Sequence, residues 1–376
     1  MTKRQILISA GEASGDMYAA RLAAALRARA DVQWFGLGGP QMREAGVELV
    51  ADCSEVAVVG ISEFFRRVPA GWRVLRRLVA AAAQRRPALA VLVDSPALNL
   101  RLARRLRRQG VRNVYFICPQ FWAWRPWRAR LLKRRVERAL CIFPFEEKFY
   151  RDAGVRAEFI GHPLVDQVRP KMSRAEFIAR HGLKAGSAIL ALLPGSRLGE
   201  LERHLSPMLE ACRRIQQRAA VPTEVVLAVA PGLAPAQVSR CLPSDVAVHL
   251  VENAAYDALA AADVAVVSSG TATVEAALLG TPMVVVYRVS RTSAFLARRL
   301  VRAPFFAMPN LIAGKRVVPE LMQEEFTPER VAEEVCRLLA SLAAREQMKR
   351  DLAGVRSKLG SSGAIERAAE IIANML

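Results

Sequence analysis

Four short stretches hold residues whose types and spacing could do chemistry on an anionic or sugar-like ligand. In Val93-Asp94-Ser95-Pro96 a carboxylate closes an apolar run. At the carboxyl end of a parallel strand, Asp94 could act as a general base. The same residues also read as an Asx-type turn capping the helix that begins near Leu98. Ala10-Gly11-Glu12-Ala13-Ser14-Gly15-Asp16 follows another apolar run. Its glycines permit a tight turn, and N–H groups at the start of the next helix can face an anion or a sugar hydroxyl. It is neither G-x-G-x-x-G nor G-x-S-x-G, and a plain N-capped turn is the alternative. Pro194-Gly195-Ser196-Arg197 precedes Glu200 and Glu202 and has no Walker lysine. Ser196 and Arg197 suit a diphosphate, because a guanidinium grips phosphate oxygens as a fork; an ordinary turn with an exposed Arg is the alternative. Ser268-Ser269-Gly270-Thr271 leads into a helix whose N–H groups and dipole favour phosphate. Glu275, one turn in, could accept two hydrogen bonds from a ribose diol, or it could simply complement the dipole.

Two further stretches mix aromatic and basic residues. Trp122, Trp124 and Trp127 fall within six residues, beside Arg125 and Arg128. Such a cluster suits sugar stacking, a lipid interface or plain packing. In 64–78, Trp72, Val74, Leu75 and Leu78 can share one side of a helix while Arg73, Arg76 and Arg77 lean to another. This reads as a basic interfacial helix or as an ordinary surface helix. Residues 293–306 are similarly apolar and basic.

The elements that must position these groups follow from the wider pattern. Short apolar runs alternate with longer amphipathic ones. Strands are expected at 5–10, 32–37, 89–94, 113–117, 140–143 and 157–160, with helices at 19–29, 72–84, 98–109, 127–136 and 145–153. After the proline-bearing stretch 161–171 the rhythm restarts, with strands at 188–193, 224–229, 246–250, 264–267 and 283–287. Helices are expected at 200–218, 234–241, 254–261 and 271–279, and from about 327 onward. Runs this short, bounded by Gly, Pro and Asp, suit fully buried parallel strands in doubly wound α/β sheets. Ligands of such sheets bind beyond the carboxyl ends of the strands, so the cleft between two such domains is the expected active site.

Composition agrees with a folded, two-domain chain. Its 376 residues are 52% hydrophobic with a mean hydropathy of +0.16, which excludes a disordered polyelectrolyte. Lys and Arg exceed Asp and Glu by 20, and the pI is about 10.7, so an anionic partner is expected. Nucleic acid is the weakest candidate, since there is no basic tail, zinc-finger spacing or RNP-type motif. The six cysteines include no CxxC pair and read as reduced, cytosolic core residues. The four histidines show no metal-ligand spacing. The N-terminus runs straight into a strand pattern rather than a signal peptide. No apolar window of about 18 residues is free of charge, so any membrane role is expected to be peripheral.

The motifs AGEASGD (10–16), FWAWR (121–125), FIGHP (159–163), LLPGSR (192–197), SSGTATVEA (268–276), PMVVVYR (282–288) and MPNLIAG (308–314), followed by VPELMQEE (318–325), resemble the lipid-A-disaccharide synthase family nearly end to end. Their order and spacing, rather than any one motif, carry the resemblance. It implies a GT-B glycosyltransferase: α/β, with two Rossmann-like doubly wound domains facing across a cleft. It further implies an acceptor (lipid) domain at 1–163, a linker region at 164–186, a UDP-sugar domain at 187–350, and a helical segment at 351–376 that could pack back on an N-terminal domain. The implied reaction joins UDP-2,3-diacylglucosamine to 2,3-diacylglucosamine 1-phosphate, giving a β-1,6 disaccharide and UDP. The implied location is the cytoplasmic face of the inner membrane of Gram-negative bacteria, bound peripherally to its anionic surface, as a monomer or homodimer. No metal or cofactor and no nucleic acid is implied. Asp94 matches the essential aspartate, and Glu12 is the alternative base. Ser196, Arg197, Ser269, Gly270, Thr271, Glu275, Asn310 and Gln323 are the implied donor-binding residues. Ser14, Gly15, Trp72, Arg73, Arg76, Trp122 and Trp124 are assigned to the acceptor or membrane face. Ala97 departs from the DxPDFN pattern of many members, which places more weight on Asp94. Two other readings stay open: a GT-B-like UDP-sugar epimerase, and a nucleic-acid-binding protein suggested by charge alone.

Overall fold

Runs of three to seven residues, most of them apolar and too short for helices of that burial, pair side by side into two wholly parallel sheets. The structure, a computed structural model, describes residues 3–56, 61–124, 126–219, 221–231, 233–242, 246–290 and 304–376, with backbone alone at 61–68. The first sheet contains β1 (Arg4–Ala10), β2 (Val32–Gly38), β3 (Glu48–Asp52), β4 (Leu89–Val93), β5 (Arg112–Phe116), β6 (Arg138–Cys141) and β7 (Ala157–Phe159), ordered β3-β2-β1-β4-β5-β6-β7. The second contains β8 (Ala188–Leu193), β9 (Thr223–Val229), β10 (Val248–Glu252), β11 (Val264–Ser268), β12 (Met283–Tyr287) and β13 (Glu320–Met322), ordered β10-β9-β8-β11-β12-β13. Both orders reverse direction once, at β1/β4 and at β8/β11. Loops leaving those neighbouring strands diverge to opposite faces, and ligands bind in the crevice this opens. Gly11 follows β1, Asp94 follows β4, Pro194 follows β8 and Ser269 follows β11.

The chain forms two compact units, residues 1–163 with 359–376, and residues 164–358. This differs from the expected boundaries at two places. Residues 164–186, expected as a linker, fold into the second unit, where helix Arg174–His181 packs on helix Ala255–Ala261. The terminal segment divides at 358/359, because one helix runs unbroken over Leu342–Lys358. Helix Ala364–Ala373 then packs on helix Ala13–Arg27 of the first unit. Arg367 fastens this return by donating to the carbonyls of Ile160, Ser361 and Ser362.

The expected interfacial helix is corrected by the core. Helix Ile61–Arg85 continues through Pro69, so it starts well before residue 72. Val74, Leu75 and Leu78 are 0%, 1% and 0% exposed and pack with Leu7, Leu37 and Leu106. The apolar stripe that lipid would need is already buried, since one periodicity serves a core and a bilayer equally. Arg73 and Arg76 remain exposed, as does Trp72 at 42%. Side chains at 64–68 and the basic stretch 293–303 lie outside the described residues.

Helix Pro40–Glu44 was not legible in the sequence, and a distant carboxylate secures it. Buried Asp16 accepts N–H bonds from Gly39 (2.6 Å), Gln41 (3.0 Å) and Met42 (3.2 Å). Asp16→Ala is expected to lower unfolding free energy by about 2–3 kcal/mol in urea titrations, through loss of a cap and three orphaned donors. A change below about 0.5 kcal/mol, the size seen at ordinary surface positions, would contradict this account of the β2–β3 connection.

Candidate active site

The first unit builds a strained turn at the end of β4. Asp94 and Ser95 both adopt left-handed backbone, with φ of 44° and 45°. Each such residue costs about 1–3 kcal/mol and persists where its surroundings enforce it. Here Tyr115 Oη donates to the Asp94 carbonyl at 2.6 Å. Asn99 Nδ2 reaches the same carbonyl at 2.8 Å and that of Val93 at 3.0 Å, while its Oδ1 accepts from Ser9 Oγ at 2.7 Å. The side chain of Asn99 is wholly buried. Ser95 Oγ accepts the N–H of Gly11 at 3.2 Å, joining the turn to the loop after β1. A Cβ on Gly11 would lie 2.8 Å from that oxygen, which accounts for glycine there.

This cradle sets the chemistry of Asp94. Burial pushes its carboxyl up, and the negative charge of Glu12 adds to the shift, against an N–H bond from Ser95; the result is about 6. A carboxylate poised just below neutral pH is still mostly ionised there and is more basic than a free one. Glu12, the other candidate base, is exposed at the head of helix Ala13–Arg27. Ser14 is exposed in the same turn. Gly15, expected on a binding face, is instead buried, its missing Cβ aimed at Ala10 and Val93, so it serves packing. Trp122 is half-buried, whereas Trp124 and Trp127 are 38% and 60% exposed. The Arg128 guanidinium sits 5.6 and 5.5 Å from their ring centres. Arg125 lies outside the described residues.

The second unit holds a cavity of about 650 Å³ at the β8/β11 reversal, within the usual range for small-molecule sites. Ser196, Arg197, Ser269, Gly270, Thr271 and Glu275 all line it. Helix Thr271–Leu279 directs its first turn there, and helix geometry leaves leading N–H groups without carbonyl partners inside the helix. The Arg197 side chain is 65% exposed and 3.5 Å from Glu200, which also accepts the Ser196 N–H at 3.1 Å. Gly195 has φ 125°, and a Cβ there would meet the Glu200 carboxylate at 2.5 Å. Tyr256 Oη donates to Glu275 Oε1 at 3.1 Å, while burial pushes the Glu275 carboxyl up.

Two expected donor residues are placed elsewhere. Asn310 is wholly buried, donating to the Val318 carbonyl (2.9 Å) and Glu320 (2.7 Å) and accepting N–H bonds from Val317 (2.6 Å) and Val318 (2.9 Å). Both ends of its amide are engaged inside the fold, so it braces the loop before β13 and does not line the cavity. Gln323, with φ 54°, gives its carbonyl to Arg288 at 3.4 Å and is also absent from the lining.

Other lining or supporting residues were missed. Arg169 and Lys171 bring two cations to the cavity from the stretch read as a linker; their bracketing of Pro170 was the available signal. His204, on the buried side of helix Leu198–Arg218, contacts the Pro194 carbonyl through Nδ1 at 2.7 Å and accepts the Arg288 N–H through Nε2 at 3.0 Å. Nε2 also lies 3.1 Å from the Arg288 carbonyl, and burial, which disfavours the charged ring, lowers the His204 pKa. His204 thereby ties the loop after β8 to the end of β12. Among the described residues, no group of three or more His, Cys, Asp or Glu is placed to hold a metal ion.

Residues 6–374 match the family model described as lipid-A-disaccharide synthetase. The chain belongs to that family. A lipid-A-disaccharide synthase of Myxococcus xanthus (strain DK1622) is 48% identical over 375 residues, covering 99% of this chain and 97% of that one. The crystal structure of the glycotransferase of kitacinnamycin superposes with a TM-score of 0.65 at 19% identity, covering 100% of both chains. A UDP-GlcNAc 2-epimerase from Neisseria meningitidis bound to UDP-GlcNAc superposes at 0.63 with 13% identity, covering 99% of both. The last two likenesses show the fold alone: two Rossmann-like units of the GT-B type. The family match therefore separates this synthetase-family chain from the epimerases that share its architecture.

Asn99→Ala removes the amide that holds the Asp94 carbonyl. The variant is expected to lose about 2 kcal/mol of stability and at least about tenfold in kcat, because the turn relaxes away from its left-handed geometry. Steady-state kinetics on folded protein checks this; a full kcat would disconnect the cradle from catalysis.

Proposed function

We propose the following chemistry for the lipid-A-disaccharide synthase activity that the family carries. The chain is a glycosyltransferase acting on a UDP-sugar and a lipid-linked sugar precursor. In the finer reading, the donor is UDP-2,3-diacylglucosamine and the acceptor is the 6-hydroxyl of 2,3-diacylglucosamine 1-phosphate. The observation that carries this reading is the match between the two switch points and the two halves of such a reaction. One unit offers a carboxylate near neutrality; the other offers a cation-lined cavity beside a helix N-terminus.

Inversion at the anomeric carbon follows from one in-line displacement. The acceptor O6–C1 bond forms as the bond from C1 to the diphosphate oxygen breaks, and the electron pair leaves with UDP. A sugar hydroxyl is a weak nucleophile, so its proton passes to Asp94 as the bond forms. Glu12 is the alternative acceptor of that proton, since Ala97 supplies no second carboxylate in the turn. Charge builds on the departing diphosphate, where Arg197, Ser196 and the N–H groups of Gly270 and Thr271 stabilise it without reorganising, the Ser269 N–H being bonded to the Val286 carbonyl. Arg169 and Lys171 add positive charge to the same cavity. Glu275, held by Tyr256, is oriented to accept from a ribose diol.

The site of action we infer is the anionic cytoplasmic face of the inner membrane, with peripheral attachment. Among the described residues no helix is long and apolar enough to cross a membrane. Support comes from the net charge of +20 and from exposed aromatic–cation pairs. The Arg105 guanidinium lies 5.5 Å from the centre of the Trp72 ring, near exposed Arg73 and Arg76, and Trp124 and Trp127 flank Arg128. Among the described residues these tips, rather than the buried stripe of helix Ile61–Arg85, are offered to lipid.

Asp94→Asn is expected to reduce turnover by at least about a thousandfold while UDP still binds, the scale of removing a general base. In the wild type, kcat/KM should fall as pH drops through about 6, where Asp94 takes up its proton. Wild-type turnover in the Asn variant, or a flat profile from pH 5 to 8, would remove Asp94 from that role. Arg197→Ala is expected to weaken UDP binding about tenfold by calorimetry, equivalent to about 1.4 kcal/mol. An unchanged Kd would mean that Arg197 does not meet the diphosphate.

A further inference from the structure

Glu146 takes no part in the steps above, yet it is a completely buried carboxyl group close enough to Asp94 to feel its charge. It is the third residue of helix Pro144–Asp152, which follows β6. One oxygen, Oε2, accepts the N–H of Phe143 at 3.2 Å, which suffices to cap the helix. The other, Oε1, accepts the indole Nε1–H of Trp122 at 3.1 Å, a bond no helix cap requires. The ring of Phe145 meets the Trp122 ring edge-on, with centroids 4.8 Å apart at 83°, and stacks in turn with Phe143 at 5.7 Å. Trp122 is thus fixed at its nitrogen and across its ring, while part of its surface stays open.

The position of that ring matters. Trp122 lies in the segment after β5, and β5 pairs directly with β4, the strand that ends at Asp94. The Asp94 N–H itself bonds the Phe116 carbonyl at 3.2 Å. Burial pushes the Glu146 carboxyl up to about 8, outweighing the N–H bonds from Trp122, Phe143 and Ile142, and the charge of Asp94 pushes it further. Glu146 is therefore mostly neutral at pH 7, so holding the indole does not put a second full charge beside the base.

We propose that Glu146 is a positioning residue for the acceptor: it fixes the indole of Trp122 as a wall beside Asp94, against which the apolar face of an acylated glucosamine packs. This rests on the glycosyl-transfer reading above. An indole presents a rigid, amphipathic face at low entropic cost, provided something stops its rotation. Glu146 and Phe145 supply that restraint.

Trp122→Phe and Glu146→Ala separate this role from simple capping. Each is expected to weaken acceptor binding and raise acceptor KM about tenfold, with donor KM and UDP affinity unchanged, the scale of about 1.4 kcal/mol. The double variant should be no worse than either single one, because both remove one coupled contact. Glu146→Gln, a neutral mimic of the acid, should return acceptor KM to within about threefold of the wild type. Trp122→Phe leaves the helix cap intact, so a folding failure of the Ala variant does not decide the matter. An unchanged acceptor KM in Trp122→Phe, additive losses in the double variant, or equal loss of donor and acceptor affinity would overturn the proposal. Wild-type turnover in the same assay tests the transfer reading separately, and equilibrium binding of the acceptor in detergent micelles reports on Trp122 even without turnover.

Discussion

Everything functional here depends on what happens where a parallel sheet changes the direction in which it grows. At β1/β4 and at β8/β11 adjacent strands send their following loops to opposite faces, so their carboxyl ends open a crevice that neighbouring loops do not fill. Strands buried on both faces are held firmly, and their ends cannot drift. A carboxylate set at one crevice and a ring of N–H donors and cations at the other are therefore positioned by the most rigid part of each unit. The family match supplies the reaction, and the proposed chemistry assigns its two halves to the two switch points.

Rigidity at the strand ends also permits strain. Two successive left-handed residues, Asp94 and Ser95, would not persist in an unsupported turn. Tyr115, Asn99 and Gly11 enforce that geometry from three different segments of the chain. The second unit uses the same device with different chemistry, as His204 clamps the loop after β8 to the end of β12. In both units buried polar residues behind the strand-end loops hold those loops in place.

That division explains which parts of the molecule could be read in the sequence. Ala188–Leu193, Thr271–Leu279 and Met283–Tyr287 form with the bounds that their apolar runs and flanking Gly or Pro indicated. Asp94, Arg197 and Thr271 were legible because each directly follows such a run. The supporting shell was not: Asn99 finds Ser9 ninety positions away, and Asp16 caps a helix more than twenty positions on. Contacts of that range leave no local pattern. Strands β3 and β13 were missed because Glu48–Asp52 and Glu320–Met322 are short and begin with an acid. The stripe of Val74, Leu75 and Leu78 was legible as a pattern and ambiguous in meaning, since only packing decides whether it meets protein or lipid. The interior bonds of Asn310 were illegible for a related reason: a polar residue in a motif carries no mark of whether it faces a ligand or the interior.

The central claim is that the chain joins a sugar from one substrate to a hydroxyl of another. Mass spectrometry of the wild-type protein incubated with both diacylglucosamine substrates tests it most directly. The account predicts a disaccharide 1-phosphate whose mass is the sum of the two sugars joined with loss of UDP, and UDP released in equal amount. UDP released without disaccharide, or a UDP-sugar converted to its epimer while the acceptor is untouched, would contradict it.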